Sequence, residues 1–370
     1  ELGIIDETFM SNLDYCNQTI RNIQDNMEWE SILKALSGEY VLPGLAVDPA
    51  YGESLPTGRN IYTTDTTKMP SQAAWGAGKK IVDQLLVQYY EKNGKFPELV
   101  GLVMWGTEIL RTEGIGIAEF LYFLGVSPEW DKTGKVTGVS LIPLEDLKIK
   151  LSNGKVINRP RIDVYASAVT SNVYWISLMV NAVKLVNDTD ESFKWNYIKK
   201  HYNETPSLDR IFGLPGAVLE GTGMSDYIPN TNKWWNSTNL TKDLAEIYLS
   251  RVSNSWTVDE NGRLVVSEKR ETYEYLLGKT DLITQNIDST WRFLDSDDYY
   301  DWFGGLLGAS QYLGANPDTG IVDIRNSNNY VSRTLEEEIE FEIRSMILNP
   351  KYRDELLKSA SGWLSYSEKY

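Results

Sequence analysis

The chain has 370 residues, 42 % of them hydrophobic and 24 % charged, and its 52 acidic and 36 basic side chains give a net charge of −16. This is the composition of a globular protein long enough for two or three domains, and the acidic balance argues against nucleic acid or an anionic membrane as partner. The single cysteine, Cys16, excludes an internal disulfide framework, and the single histidine, His201, excludes zinc patterns that need two or more. No apolar stretch is long enough to span a bilayer.

The first 70 residues are predicted to form a helical segment followed by a Gly/Pro-rich loop. Apolar residues recur at helical spacing over residues 2–38, and Gly38 is typical of a helix C-terminus. Residues 40–70 are rich in Gly and Pro, which predicts a long ordered loop or a linker.

Residues 71–191 are predicted to form an α/β unit. A helix over residues 71–93 has Ser71 as its N-cap, the run ELVGLVMWG reads as a buried strand, and IGIAEFLYFLG reads as a helix that stops at Gly125. The runs KVTGVSLIPL and RIDVYASAV are strand-like, and SNVYWISLMVNAVKLVND is an amphipathic helix capped by Ser171. This order predicts Rossmann-like architecture, and no Gly-rich dinucleotide fingerprint accompanies it.

Residues 192–370 are predicted to be mainly helical with short strands. The extended pieces are DLITQNI and GIVDIR, and turn-rich loops occupy residues 204–239 and 314–333. The predicted fold class is therefore α/β: a Rossmann-like α/β unit with long loops, followed by a mainly helical α+β region. The predicted helices cover residues 192–203, 241–252, 267–278, 299–313 and 334–365.

A charged loop follows the predicted buried strand in the segment LVMWGTEILRTEGIG. It holds Glu108, Arg111, Thr112 and Glu113, and glycines bracket it. In open α/β sheets, sites form where strands end and helices begin, so the loop is a candidate site. A solvated surface loop is the alternative interpretation.

Seven stretches, in the same order and at similar spacing over about residues 40–355, resemble the large subunit of the class I tetrapyrrole metal chelatases. This is the family of the cobaltochelatase large subunit (CobN) and the magnesium chelatase H subunit. Its full subunit is several times longer, so the chain resembles a middle-to-late part without the N-terminal region. The stretches are LPTGRNIYTTDTTKMPSQAAW, VMWGTEILRTEG, GVSPEWDKTGKVTGVSLIPLEDL, RPRIDVYASAVTSN, RIFGLPGAVLEGTG, QNIDSTWRFLDSDDYYDWFGGLLGA and RTLEEEIEFEIRSMILNPKY.

The resemblance implies a tetrapyrrole substrate, a divalent metal substrate (cobalt in preference to magnesium, as in cobalamin biosynthesis) and AAA+ partner subunits that hydrolyse ATP in place of this chain. Metal insertion requires two pyrrole N–H protons to leave while a hydrated cation sheds its waters. Carboxylates suit both tasks because they bind hard cations loosely and accept protons. The expected enzyme is a ligase-type chelatase that is active only with its ATPase partners.

The candidate catalytic carboxylates are Glu108, Glu113, Asp297 and Asp298, and the candidate metal ligands are Asp295 and Asp297. The three aspartates lie in LDSDDYYDWFGG, where a helix start is the alternative explanation. The candidate ligand-binding residues are Arg59, Arg111, Thr112, Gln285, Asn286 and Trp302.

Two of the candidates, Arg59 and Trp302, have structural alternatives, and the single histidine, His201, is predicted to have only a structural role. Arg59, in PTGRN, could clamp a carboxylate of the macrocycle or stabilise a turn. Trp302 could stack on the macrocycle or pack in the core, and packing is favoured. His201 is predicted to be a surface residue near a helix end.

Two departures from the family pattern leave a second function open. Cobaltochelatase relatives carry a histidine between QN-x-D and LDSDDYY, which this sequence lacks, and Ile115-Gly116 replace a glutamate-serine pair. The alternative is therefore a non-catalytic, CobN-like tetrapyrrole-binding or cell-surface protein. Cytoplasmic location is expected, with the extracellular surface as the alternative because five N-glycosylation sequons occur, at Asn17, Asn187, Asn203, Asn236 and Asn239.

Overall fold

The computed structural model describes residues 7–45, 55–62, 65–167, 172–216, 221–289, 293–294, 296 and 299–358. The chain divides into two compact units, residues 1–66 and residues 67–370. The predicted division at residues 70 and 191 stays a prediction.

The first unit contains two helices and a short parallel strand pair: α1 (Glu7–Gln24), α2 (Glu28–Leu36), β1 (Pro43–Leu45) and β2 (Asn60–Tyr62). The helical spacing predicted for residues 2–38 is thus confirmed as two helices within the described residues. The apolar positions that define this spacing are exposed: Leu13, Ile20, Ile23, Met27, Ile32 and Leu36.

The second unit is built on an eight-stranded sheet with the order β11-β10-β9-β8-β3-β12-β13-β14. The five strands from β9 to β13 in this order are parallel, and antiparallel strands complete both sides. The strands of this sheet are β3 (Leu99–Val103), β8 (Asp163–Ser167), β9 (Ile211–Gly213), β10 (Asn254–Val258), β11 (Leu264–Glu268), β12 (Leu282–Ile287), β13 (Asp318–Asp323) and β14 (Val331–Arg333).

Helices cover both faces of the sheet. On the central strand β3, Val100 and Leu102 belong to one buried core, while Leu99 and Val103 belong to a second core, as the alternation of side chains along a strand requires. The first core contains residues of α3 (Gln72–Asn93), α5 (Ile115–Phe123) and α6 (Val173–Asn187), and the second contains residues of α10 (Leu240–Val252), α11 (Arg270–Leu277) and α12 (Trp302–Tyr312). The predicted α/β class is confirmed.

The remaining helices are shorter or lie nearer the end of the chain. Among the described residues, no helix combines the length and the apolar character that crossing a membrane requires. These elements are a 3-10 helix (Thr66–Lys68), α4 (Gly106–Arg111), α7 (Tyr197–Glu204), α8 (Met224–Tyr227), α9 (Thr231–Trp234), α13 (Leu335–Glu342), a π-helix (Ile343–Ile347) and α14 (Pro350–Lys358).

Of the two predicted helix N-caps, one is confirmed and the other is wrong. Ser71 caps α3 as predicted, because its hydroxyl accepts from Ala74 N–H at 3.1 Å. The cap of α6 is Asn172, whose side chain accepts from the N–H groups of Tyr174 and Trp175, so the prediction of Ser171, which lies outside the described residues, is wrong.

The main sheet contains more strands than the sequence predicted. Four strands of the main sheet (β9, β10, β11 and β14) were not predicted, and the predicted strand KVTGVSLIPL pairs in a separate hairpin. The two hairpins outside the main sheet are β4 (Val126–Trp130) with β5 (Val136–Leu141), and β6 (Lys148–Lys150) with β7 (Val156–Asn158).

Candidate functional site

The carboxyl ends of three parallel strands meet at one edge of the sheet. Ser167 of β8 lies opposite Val103 of β3, and Val103 lies opposite Gln285 of β12. The loop that follows β3 and the residues that end β12 are therefore neighbours, although about 180 residues separate them in sequence. This is the position where open α/β sheets build their sites.

Glu108 lies on the buried side of the short helix α4 and is 4 % exposed. The hydroxyl of Thr112 donates to Glu108, with Oγ1 3.1 Å from the carboxylate Oε1. The backbone N–H of Gly116 lies close enough to lower the pKa of this carboxyl group. A Cβ atom at position 116 would lie only 2.8 Å from Glu108 Oε2. Glycine at this position, a departure from the family pattern, therefore leaves room for the Glu108 carboxyl group.

A second buried carboxyl group, Glu119 on α5, lies beside the first. Its side chain is fully buried, and its Oε1 accepts from Asn286 Nδ2 at 2.7 Å. Asn286 also lies close enough to Glu108 to lower the pKa of that carboxyl group, so one amide lies beside both carboxyl groups. Glu119 was not predicted as a site residue. The available signal was a lone acidic residue inside the otherwise apolar run IGIAEFLYFLG.

Burial changes the ionisation of both groups. Burial raises the pKa of Glu108 to about 8, the negative charge of Asp288 adds to the rise, and hydrogen bonds from Thr112, Gly116 and Asn286 oppose it. Burial, and then the charge of Glu108, raises the pKa of Glu119 well above its usual range. A group that titrates near neutral pH can both take up and release protons.

Arg111 pairs with an acidic side chain from the end of β12. Its Nε lies 2.6 Å from Oδ2 of Asp288, and the two side chains are 21 % and 9 % exposed. The guanidinium therefore neutralises Asp288 in this structure. Gln285, two strand positions before Ile287, is buried at the same edge.

Trp302 is buried at the start of α12. Its ring packs edge-to-face against Trp105, with 5.7 Å between centroids, which is the core packing that was favoured for it. The indole N–H of Trp105 is buried without a hydrogen-bond partner among the described residues. This N–H donor, which no described residue pairs, belongs to the residue that directly precedes α4.

Two other candidates lie apart from the buried pair. The Glu113 side chain is exposed and its backbone has φ of 57°, so the two carboxylates of this loop occupy different environments. Arg59 belongs to the first unit, where its side chain is exposed.

The predicted acidic cluster Asp295, Asp297 and Asp298 lies outside the described residues. Within the described ranges, no group of three or more His, Cys, Asp or Glu side chains is placed to hold a metal ion. The nearby Asp301 is fully buried, and its carboxylate accepts from the hydroxyl of Thr222. It is thus used in holding the loop around Gly221, where a Cβ would lie 2.7 Å from Asp301 Oδ2.

The prediction that His201 is a surface residue is wrong. The ring is 2 % exposed, and its Nδ1 lies 2.8 Å from Oδ2 of Asp163, the first residue of β8. Arg210 donates to the same carboxylate. The only histidine of the chain therefore belongs to a buried network at the amino ends of the parallel strands. The carboxyl edge, where the carboxyl ends of β8, β3 and β12 meet, is at the other end of these strands.

Comparisons with known proteins agree on one family. The family model described as CobN/Magnesium Chelatase matches residues 5–362. The chain is 34 % identical over 363 residues to the chloroplastic magnesium-chelatase subunit ChlH of Oryza sativa, covering 95 % of this chain and 25 % of the relative. It is 31 % identical over 356 residues to the aerobic cobaltochelatase subunit CobN of a Sinorhizobium species, covering 90 % and 26 %.

The fold also matches a solved structure. The catalytic subunit of cobaltochelatase from Mycobacterium tuberculosis superimposes with a TM-score of 0.77 at 29 % identity, covering 89 % of this chain and 28 % of the other. The chain thus spans about a quarter of the length of the relatives it matches.

Proposed function

The chain belongs to the CobN/magnesium chelatase family, and from that premise we propose that it forms part of a large subunit that binds a tetrapyrrole and inserts a divalent metal. AAA+ partner subunits use the ATP. We propose cobalt as the metal, on the likeness to the cobaltochelatase catalytic subunit. The comparisons do not favour the alternative of a non-catalytic surface protein.

The observation that carries this proposal is the buried carboxyl pair at the carboxyl edge of β3 and β12. Metal insertion releases two protons from the macrocycle, so it needs an acceptor that works near neutral pH. Glu108 has such a pKa, about 8. We assign it the role of proton acceptor, with Thr112 and Asn286 holding its carboxyl group in place.

The other candidate residues receive supporting roles in the proposal. Arg111 and the amide of Gln285 would line the macrocycle site. Arg59, in the first unit, and Trp302, which packs in the core against Trp105, remain predicted ligand-binding residues. Asp295 and Asp297 would deliver the metal ion, since aspartate oxygens are ligands that hard divalent cations accept. Asp297 and Asp298 would also act as catalytic carboxylates. Glu113, on the exposed side of the same loop, would act as a further catalytic carboxylate. Cytoplasmic location remains our expectation.

The test is a spectral titration of the full-length subunit with a metal-free tetrapyrrole, followed by an insertion assay with the ATPase partners and either cobalt or magnesium ions. We expect Glu108→Gln to retain the spectral shift and to insert metal about 100-fold more slowly or worse, the usual effect of losing a general base. Asp297→Asn tests the metal-delivery role in the same assay.

The matched control is Glu338→Gln on α13, a buried glutamate that pairs with Arg333 at 2.7 Å. It removes a buried carboxylate that pairs with Arg333 and not with Asn286, so insertion by the folded variant should stay near the wild-type rate. A folded wild-type subunit that gives no spectral shift would refute the binding proposal. Binding without metal insertion, with all partners present, would refute the enzymatic one.

A further inference from the structure

The two buried carboxyl groups of Glu108 and Glu119 depend on the same amide. Asn286 donates to Oε1 of Glu119 at 2.7 Å, and the same side chain lies close enough to Glu108 to lower the pKa of that carboxyl group. Glu108 itself accepts a hydrogen bond from the hydroxyl of Thr112. All of these donors are neutral, and no lysine or arginine among the described residues forms an ion pair with either carboxyl group.

Two oxygens of this cluster are buried without a partner among the described residues. They are Oε2 of Glu119 and Oδ1 of Asn286, on side chains that are 0 % and 7 % exposed. A buried anionic oxygen without a donor is very costly, whereas a protonated oxygen is neutral and can donate. The lone oxygen of Glu119 is therefore the atom that should carry a hydrogen.

Within the described part of the chain, the charged and titratable groups around the pair do not supply a counter-charge. Asp288 faces Glu108 and is neutralised by Arg111, and Tyr330 lies near Glu119. Two buried carboxyl groups this close together, with no cation paired to either among the described residues, cannot both be ionised. One of them stays protonated, and Glu119 is the more deeply buried.

We propose that Glu119 carries its proton at neutral pH and is the positioning residue for Glu108, to which Asn286 connects it. This inference rests on the proposed metal insertion, in which Glu108 is the group that gains and loses a proton. A neutral Glu119 holds the Asn286 amide in place without adding a second negative charge beside the acceptor.

The proton balance of the step is simple. A macrocycle N–H bond breaks and leaves its electron pair on the nitrogen, which bonds the divalent cation. The proton forms an O–H bond on the ionised carboxyl group of Glu108, directly or through one water molecule. The second N–H proton passes to bulk water, and Glu108 then returns its own proton to water. One divalent cation enters and two protons leave, while Glu119 keeps its proton throughout.

The direct test is infrared spectroscopy of the full-length subunit, followed as the pH rises. In the wild type, the C=O band of protonated carboxyl groups should fall as Glu108 ionises near pH 8. A residual band should persist after Glu108 has ionised, and Glu119→Gln should remove it while Glu338→Gln leaves it unchanged. The absence of a residual band from the folded wild type would overturn the proposal, without any variant being needed.

The second test uses the insertion rate with the ATPase partners, because a structural role alone does not fix a pH profile. Since glutamine mimics the neutral acid, Glu119→Gln should keep the acidic limb of the profile in place and keep the rate within about threefold. Glu119→Leu should lower the rate about tenfold or more, because it leaves Asn286 without its acceptor. A shift of the limb by about one pH unit towards acid in Glu119→Gln would mean that an ionised neighbour had been removed, and would overturn the proposal.

These outcomes separate the two proposals. A residual infrared band in a subunit that never inserts metal would leave the proton on Glu119 established and refute the proposed function. Insertion that depends on Glu108, in a protein without the residual band, would do the reverse.

Discussion

The two ends of the parallel strands bury acidic side chains in opposite ways. At the amino end, Asp163 lies between the Arg210 guanidinium, at 2.8 and 3.0 Å, and the ring of His201. At the carboxyl end, the described residues that donate to Glu108 and Glu119, Thr112 and Asn286, are neutral.

The ionisation of these groups follows from their partners. Burial raises the pKa of Asp163, but Arg210 and His201 outweigh it and hold that pKa below its usual range. Burial without a cation raises the pKa of Glu108 and of Glu119. The amino end thus fixes a charge as part of the structure, and the carboxyl end keeps carboxyl groups that can exchange protons.

The largest expected effect comes from replacing the acid at the amino end. Asp163→Asn leaves Arg210 buried without its counter-charge, which should cost about 3–5 kcal/mol in the free energy of unfolding. At the carboxyl end Glu119→Gln replaces a neutral acid by a neutral amide and should cost less than about 1 kcal/mol. Urea denaturation of the full-length subunit measures both. Equal losses would mean that the two ends do not differ as described.

A smaller effect is expected from adding a side chain next to Glu108. Gly116→Ser places a Cβ atom 2.8 Å from Glu108 Oε2 and should destabilise the fold by about 1–3 kcal/mol. The control is Gly76→Ala on α3, where an added Cβ meets no atom within 4 Å. This control should be neutral or stabilising. If Gly116→Ser is as harmless as the control, the carboxyl group of Glu108 does not occupy the position described.

The third effect is on how the free energy of unfolding depends on pH. The acidic groups at the two ends of the parallel strands should change it in opposite directions. The pKa of Glu108 rises from 4.5 to about 8 on folding, so the unfolded chain ionises first and this group's contribution to stability falls as the pH rises through that window. The slope should be up to about 1.4 kcal/mol per pH unit, and Glu108→Gln should remove it. Asp163 has a lowered folded pKa, so its contribution is complete at neutral pH and is lost as the pH falls through the folded pKa.

Urea denaturation across the pH range checks these signs. A wild-type stability that rises between pH 5 and 8 more steeply than that of Glu108→Gln would contradict the raised pKa of Glu108.

The carboxyl edge could be located from the sequence because its signals are local. A continuous apolar run followed by a charged, glycine-flanked loop marks the end of β3, and this placed Glu108, Arg111 and Thr112. The pairing of β3 with β12, which brings Gln285 and Asn286 to the same edge, joins distant segments. Hydrophobic periodicity does not encode such pairings.

Glu119 and the pairing of Arg111 with Asp288 were not predicted from the sequence, for physical reasons. Glu119 lies within an apolar helix, where the sequence shows only one acidic letter and not the amide that faces it from β12. The pairing of Arg111 with Asp288 also depends on a contact across strands. The hairpin of β10 and β11 did carry a signal, since Asn261-Gly262 stands between two alternating runs and Gly262 has φ of 72°.

The most direct test of the account is the titration of individual glutamate carboxyl groups in the full-length subunit by carbon-13 NMR. One resonance, missing in Glu108→Gln, should titrate near pH 8. A second, missing in Glu119→Gln, should remain that of a protonated acid beyond this pH. If both resonances instead titrate together near 4.5, the value for an ordinary glutamate, the carboxyl edge holds no proton for exchange and the account is contradicted.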